Sequence, residues 1–79
     1  GLTKSRSTVI QELFRSLVNF ADNFSYPRVC VRVNPKVAAR IHAEDRDLFE
    51  DLKERIGREV EVEPHPEFHL EHFEFVNLP

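Results

Sequence analysis

The sequence has 79 residues, enough for one modest hydrophobic core, so we expect a single domain over residues 1–79. Its 41% hydrophobic and 32% charged residues are typical of a folded chain and not of a disordered tail. No apolar run is long enough to span a membrane or to form a secretory signal, and a lone cysteine, Cys30, excludes an internal disulfide or a C-x-x-C metal knuckle. We therefore expect a soluble protein of the cytoplasm.

The net charge of −3 is distributed unevenly along the chain. Residues 1–40 contain seven Lys/Arg and two Asp/Glu, whereas residues 41–79 contain four and twelve. A basic first half is suited to nucleic acid phosphates, which the acidic half would repel. The alternative is that both are solvated faces, or that they meet in an oligomer.

The first half of the chain predicts a helix, a strand and a short helix. Residues 8–22 form the first helix, with a capping-box pattern at Thr8 and Gln11 and one apolar face made of Val9, Ile10, Leu13, Phe14, Leu17, Val18 and Ala21. Residues 28–33, RVCVRV, alternate with period two and predict a half-buried strand. Asn34-Pro35 then reads as an N-cap followed by proline, which starts a short helix that ends near His42.

The second half predicts a longer helix and two strands. Residues 45–56 form the helix, Gly57 closes it, and its buried residues are Leu48, Phe49, Leu52 and Ile56. In the following REVEVEP segment the valines alternate with glutamates, which face solvent. Pro64 and Pro66 interrupt that strand before a last one over residues 72–77, with Phe73 and Phe75 on one face.

The order of these elements predicts the fold class. We expect an α+β, two-layer α-β-α-α-β-β domain in which three helices cover one face of a three-stranded sheet. The segment from Val29 to Val62 resembles the core of a KH domain, whose G-x-x-G loop clamps nucleic acid phosphates. Residues 42–45 at that place read HAED, so the loop is degenerate and acidic.

Few side chains are candidates for catalysis or metal binding. We predict no catalytic residue and no metal ligand in this chain. His65, His69 and His72 favour a hydrogen-bonded or solvated edge over a metal site, because they lack the spacing of a helical zinc motif. Paired carboxylates on an exposed strand lack the cleft that general acid/base chemistry needs. Cys30, in the middle of a strand, favours a packed thiol over a nucleophile.

The basic residues of the first half are the candidates for contact with RNA, and they serve equally well for contacts between subunits. They are Lys4, Arg6, Arg15, Arg28, Arg32 and Arg40.

The whole chain resembles a region of the bacterial ribonuclease E/G endoribonucleases. The segment GLTKSRSTVIQELFR is similar to the stretch that follows the zinc-link in that family, with matches at Gly1, Lys4, Ser5, Thr8, Val9, Glu12 and Arg15. Further along, VNPKVAARI, DLFEDLKERIGREVEV and PEFHLEHFEF follow in the family's order.

In that family this region is the small C-terminal domain of the catalytic half, with a layout similar to that of a KH domain. The resemblance implies an oligomeric enzyme that cuts single-stranded RNA in ribosomal RNA processing and messenger decay. It implies magnesium and zinc for the parent enzyme, with their ligands upstream of this chain. For the chain itself it implies packing against other domains of the nuclease and a role in assembly. Two alternatives stay open, a free-standing KH-like RNA-binding module and a self-association module.

Overall fold

A computed structural model describes residues 6–23 and 26–79 of the chain. Three helices and three strands follow one another in the order α-β-α-α-β-β, as predicted. Their bounds are α1 Arg6–Asn23, β1 Arg28–Val33, α2 Pro35–His42, α3 Arg46–Ile56, β2 Glu59–Pro64 and β3 Phe73–Leu78. Within the described residues, no helix is long and apolar enough to span a membrane.

The three strands form one mixed sheet with β1 at its centre, in the order β2-β1-β3. β1 pairs with β2 in parallel, so that Val31 lies opposite Val62. It pairs with β3 in an antiparallel arrangement that places Val31 opposite Phe75. Because the side chains of paired residues point to the same face, these three residues mark one face of the sheet.

The hydrophobic core lies between this face and the helices. Val31 and Val33 of β1 are fully buried with Leu13 and Leu17 of α1 and Ile41 of α2, all at 0% exposure. The partly buried Phe73 and Phe75 pack against the same cluster from β3. The three helices therefore cover one face of the sheet, which confirms the predicted α+β two-layer arrangement.

Short local signals fix the ends of the two inner helices. The Asn34 side-chain oxygen accepts a hydrogen bond of 2.8 Å from the backbone N–H of Lys36, which caps the start of α2 ahead of Pro35. Gly57 adopts φ 67° directly after α3, and its N–H donates to the carbonyl of Lys53. This left-handed conformation favours glycine and ends the helix before β2 begins.

Two details differ from the prediction. α1 begins at Arg6, so Thr8 lies inside the helix and not at its N-cap. Leu48, predicted to be buried, is 51% exposed. Phe49 and Leu52 occupy the buried stripe of α3, and Leu48 is turned about 100° away from Phe49 around the helix, to the margin of that stripe.

Candidate functional site

The second face of the sheet carries no helix among the described residues, and we call it the open sheet face. Its nine residues come from all three strands: Glu59, Glu61 and Glu63 of β2, Arg28, Cys30 and Arg32 of β1, and Glu74, Val76 and Leu78 of β3. The glutamates are exposed, the two arginines and the two β3 aliphatic side chains are partly exposed, and Cys30 is buried. Cys30, Val76 and Leu78 therefore form an apolar patch that reaches the β3 edge of the sheet, and charged residues border it on the β2 side.

Two cross-strand ion pairs join β1 to β2 on this face. Nη1 of Arg28 lies 3.7 Å from Oε1 of Glu61, and Nε of Arg32 lies 3.6 Å from Oε1 of Glu63. All four side chains are at least a third exposed, so each pair contributes about 0–1 kcal/mol. The strand register, and not these weak pairs, places a row of glutamates beside a row of arginines.

Cys30 is the buried centre of the open sheet face. Its Sγ lies 3.7 Å from Oε2 of Glu63. Burial, followed by the nearby Glu63 carboxylate, raises the pKa of the Cys30 thiol above its ordinary value. The thiol is therefore protonated and unreactive at neutral pH, which agrees with the predicted packed cysteine and gives no support to a nucleophile.

A cluster of histidine and glutamate side chains lies where β2 leads into the connection to β3. Nε2 of His65 lies 2.5 Å from Oε1 of Glu63, and Nδ1 lies 2.8 Å from Oε1 of Glu67. The hydrogen bonds to Glu67 and then Glu63 raise the pKa of His65, and the same bonds lower the pKa of both carboxyl groups. His65 thus belongs to a hydrogen-bonded edge, one of the two alternatives predicted for the histidines.

The same connection is also held by ring contacts. Phe68 stacks on His65 at 4.8 Å between ring centroids, and His72 meets Phe68 in an edge-on arrangement at 4.5 Å. Nε2 of His72 in turn lies 3.0 Å from Oε2 of Glu74. The two histidines are therefore fixed through Phe68 and through separate glutamates.

Magnesium and zinc, which the resemblance implies for a whole enzyme, do not fit the described residues. No group of three or more His, Cys, Asp or Glu side chains in residues 6–23 and 26–79 is arranged to hold a metal ion. Both ring nitrogens of His65 already face carboxylate oxygens, and Cys30 is a single buried thiol. No step of metal chemistry is therefore assigned to this chain.

Among the RNA candidates whose side chains are described, the structure brings two together. Arg28 and Arg32 lie four residues apart on β1, on the open sheet face. Arg40 is on α2, where it pairs with Glu44 at 3.3 Å and Asp45 at 3.2 Å. Arg15 is exposed on α1.

Two further candidates have no described side chain. Lys4 lies outside the described residues, and Arg6 is described only as the first residue of α1.

A groove between α1 and α3, with a volume of 410 Å³, was not predicted from the sequence. Phe14 and Val18 of α1 and Leu48 and Leu52 of α3 line it, with Arg15 and Arg55 at its border. The signal in the sequence was Leu48, an apolar residue of α3 that lies at the margin of the buried stripe of Phe49 and Leu52 and lines the groove beside α1.

A comparison of the chain with models of known protein families finds no match. A comparison with curated proteins finds no match either.

Proposed function

We propose that this chain is the C-terminal structural and assembly domain of a ribonuclease E/G-like endoribonuclease. The parent enzyme acts on single-stranded RNA in ribosomal RNA processing and messenger decay, and its catalytic residues lie outside this chain. The domain packs through its open sheet face against other domains of the nuclease and supports a homo-oligomer. The order and character of the motifs over the whole chain support the family, and the open sheet face supports the role.

The observation that carries the role is the apolar patch of the open sheet face. Parallel strand pairs usually have both faces covered, yet among the described residues the parallel β1–β2 pair has helices on one face only. Val76 and Leu78 of β3 lie beside the buried Cys30 and remain partly exposed. An exposed apolar patch bordered by charged residues is typical of a protein interface.

The acidic residues of the open sheet face favour docking over catalysis. Glu61 and Glu63 pair with arginines, and Glu74 pairs with His72. General acid/base chemistry needs a carboxyl group held in a cleft with a pKa near the working pH. The pKa of Glu63 is moved away from neutral pH, because the hydrogen bond from His65 lowers it.

The reading frame around this chain and the activity of the chain itself test the proposal. We expect a C-x-x-C motif just upstream of Gly1, and we expect the purified 79-residue chain to fold without cleaving single-stranded RNA in the presence of Mg²⁺. RNA cleavage by the chain, abolished by EDTA, contradicts the assembly role. A start codon immediately before Gly1 contradicts the parent nuclease.

The alternative function is a free-standing, degenerate KH-like module that binds RNA. The observation that favours it is the placement of Arg28 and Arg32 on one face of the central strand. It predicts salt-dependent binding of a single-stranded RNA that weakens in the double variant R28Q/R32Q, with R46Q as the control because Arg46 lies on α3. Absence of binding at low salt rules it out. The four glutamates around the two arginines and the acidic residues of the α2–α3 connection argue against tight binding.

A second alternative is a module that only self-associates. The groove between α1 and α3, with the exposed Leu48, gives it a surface separate from the open sheet face. It predicts dimers whose fraction rises with concentration in analytical ultracentrifugation, and a monomer at high concentration contradicts it.

A further inference from the structure

The contacts of His65 are complete in only one protonation state. A neutral imidazole has one N–H donor and one acceptor nitrogen, whereas the imidazolium has two donors. Here both ring nitrogens face carboxylate oxygens, at 2.5 Å to Glu63 and 2.8 Å to Glu67. The arrangement is therefore that of a charged His65 that donates to both carboxylates, and loss of the proton leaves one of them facing a lone pair.

Glu63 has a second donor within reach on the neighbouring strand. Nε of Arg32 is buried and has no hydrogen-bond partner among the described residues, and it lies 3.6 Å from the Glu63 oxygen that His65 contacts. An unsatisfied buried donor is unfavourable, so a small movement of Glu63 toward Arg32 is favourable once His65 no longer holds the carboxylate.

The connection of residues 65–72 depends in part on this contact. It is also tied to the end of β1, because the N–H of His65 donates to the carbonyl of Val33 at 2.7 Å. The Asn34 side-chain amide donates to the carbonyl of Phe68, also at 2.7 Å. These backbone ties do not change with pH, so loss of the His65 proton loosens the connection without detaching it.

We propose that Glu63 is a proton-controlled latch: charged His65 holds it and closes the connection 65–72, and neutral His65, which keeps its proton on Nδ1 toward Glu67, releases Glu63 to Nε of Arg32. The latch does not depend on the proposed function. Glu63 and Arg32 both belong to the open sheet face. Opening of the connection 65–72 therefore changes the pairing of charges on that face.

The charged and titratable groups around the latch come from every element packed against it. Glu63 of β2 and Glu67 of the connection contact His65 directly. Arg32 and Cys30 of β1 face Glu63. His72 of the connection contacts the ring of Phe68 and pairs with Glu74 of β3.

The pH range of the latch follows from the directions of the pKa shifts. The pKa of His65 is raised above its ordinary 6.5. The stabilisation of the fold by protonated His65 is therefore complete below that pH and is lost as the pH rises through the higher folded pKa. The pKa values of Glu63 and Glu67 are lowered from their ordinary 4.5, so their contribution is present above that pH and is lost in stronger acid. The latch is therefore closed in mildly acidic solution and opens as the pH rises through the raised folded pKa of His65.

An NMR titration of the 79-residue chain tests the latch. We expect the Arg32 Nε–H signal to shift in the same pH range as the His65 ring protons, in the direction of a stronger hydrogen bond at high pH. Amide exchange of Phe68, corrected for intrinsic rates, should rise over that range by about tenfold for each unit between the folded and unfolded pKa of His65. A titration of His65 that leaves the Arg32 Nε–H and Phe68 amide signals unchanged overturns the proposal.

Three variants separate the latch from a general effect of pH. E63Q should abolish the Arg32 response, and E67Q should lower the pKa of His65 while keeping that response. H72N is the matched control, because His72 lies in the same connection and pairs with Glu74, whereas Glu63 and Glu67 face His65. Loss of the Arg32 response in H72N, or its persistence in E63Q, contradicts the latch.

Discussion

Asn34 joins two parts of the molecule through one side chain. Its oxygen caps α2, and its amide nitrogen holds the carbonyl of Phe68 in the connection between β2 and β3. Asn34 was predicted as an N-cap from the Asn-Pro pair alone. Its second contact was not predictable, because it joins residues 34 positions apart through a loop whose path the local sequence does not determine.

Replacement of Asn34 by alanine removes both hydrogen bonds. We expect N34A to lower the free energy of unfolding by about 1–3 kcal/mol, from the lost cap together with the lost contact to Phe68. N34D keeps the capping oxygen and loses only the donor, so it should lie between N34A and the unmodified chain. Urea denaturation measures all three, and equal stability of N34A and the unmodified chain contradicts the assignment.

Cys30 gives a second prediction at the scale of a residue. Because burial and Glu63 raise the pKa of the thiol, the reactive thiolate is scarce at neutral pH. Reaction with a colorimetric disulfide reagent should be slow in the folded chain and fast after unfolding in urea. Equal rates in the two conditions would show that the thiol is accessible and reactive.

At the scale of elements, the end of α3 depends on the conformation of Gly57. A Cβ atom added there meets nothing within 4 Å, so the effect of G57A comes from the φ of 67° alone. We expect G57A to destabilise the fold by about 1–2 kcal/mol, measured by thermal or urea unfolding. G57N should cost less, because asparagine tolerates the left-handed region better than alanine does. A larger loss in G57N than in G57A contradicts this reason.

The two helices beside the groove offer a matched pair of leucines. Leu17 of α1 is fully buried and Leu48 of α3 is 51% exposed. We expect L17A to cost about 2–5 kcal/mol of unfolding free energy and L48A less than about 1 kcal/mol. Similar losses in urea titrations of the two variants would contradict the packing of α3 described above.

The elements were predictable because most of them carry a local signal. Alternation in RVCVRV, proline after Asn34 and glycine after α3 each act over a few residues, and the resulting bounds agree with the structure within one or two positions. The exposure of Leu48 was not predictable, because it depends on the angle at which α3 lies against α1. A hydrophobic stripe indicates which side of a helix is apolar and not how much of that side a neighbour covers.

At the scale of the molecule, the open sheet face arises from the strand order. The sequence predicted which residues of β1 share a face, but the placement of β1 between β2 and β3 depends on pairing between distant segments. That pairing places a row of glutamates on one side of Arg28 and Arg32 and the apolar Val76 and Leu78 on the other. The same pairing separates Arg40 from them, since it lies on α2 with acidic partners.

The assembly role of the open sheet face is the central claim, and the methyl NMR signals of Val76 and Leu78 test it most directly. These signals are to be compared between the 79-residue chain and the longer nuclease of which we propose that it is a domain, with Val37 and Val60 of the helix-side core as internal controls. The account predicts that the Val76 and Leu78 methyl signals shift in the longer nuclease while those of Val37 and Val60 do not. Unchanged Val76 and Leu78 signals would contradict it.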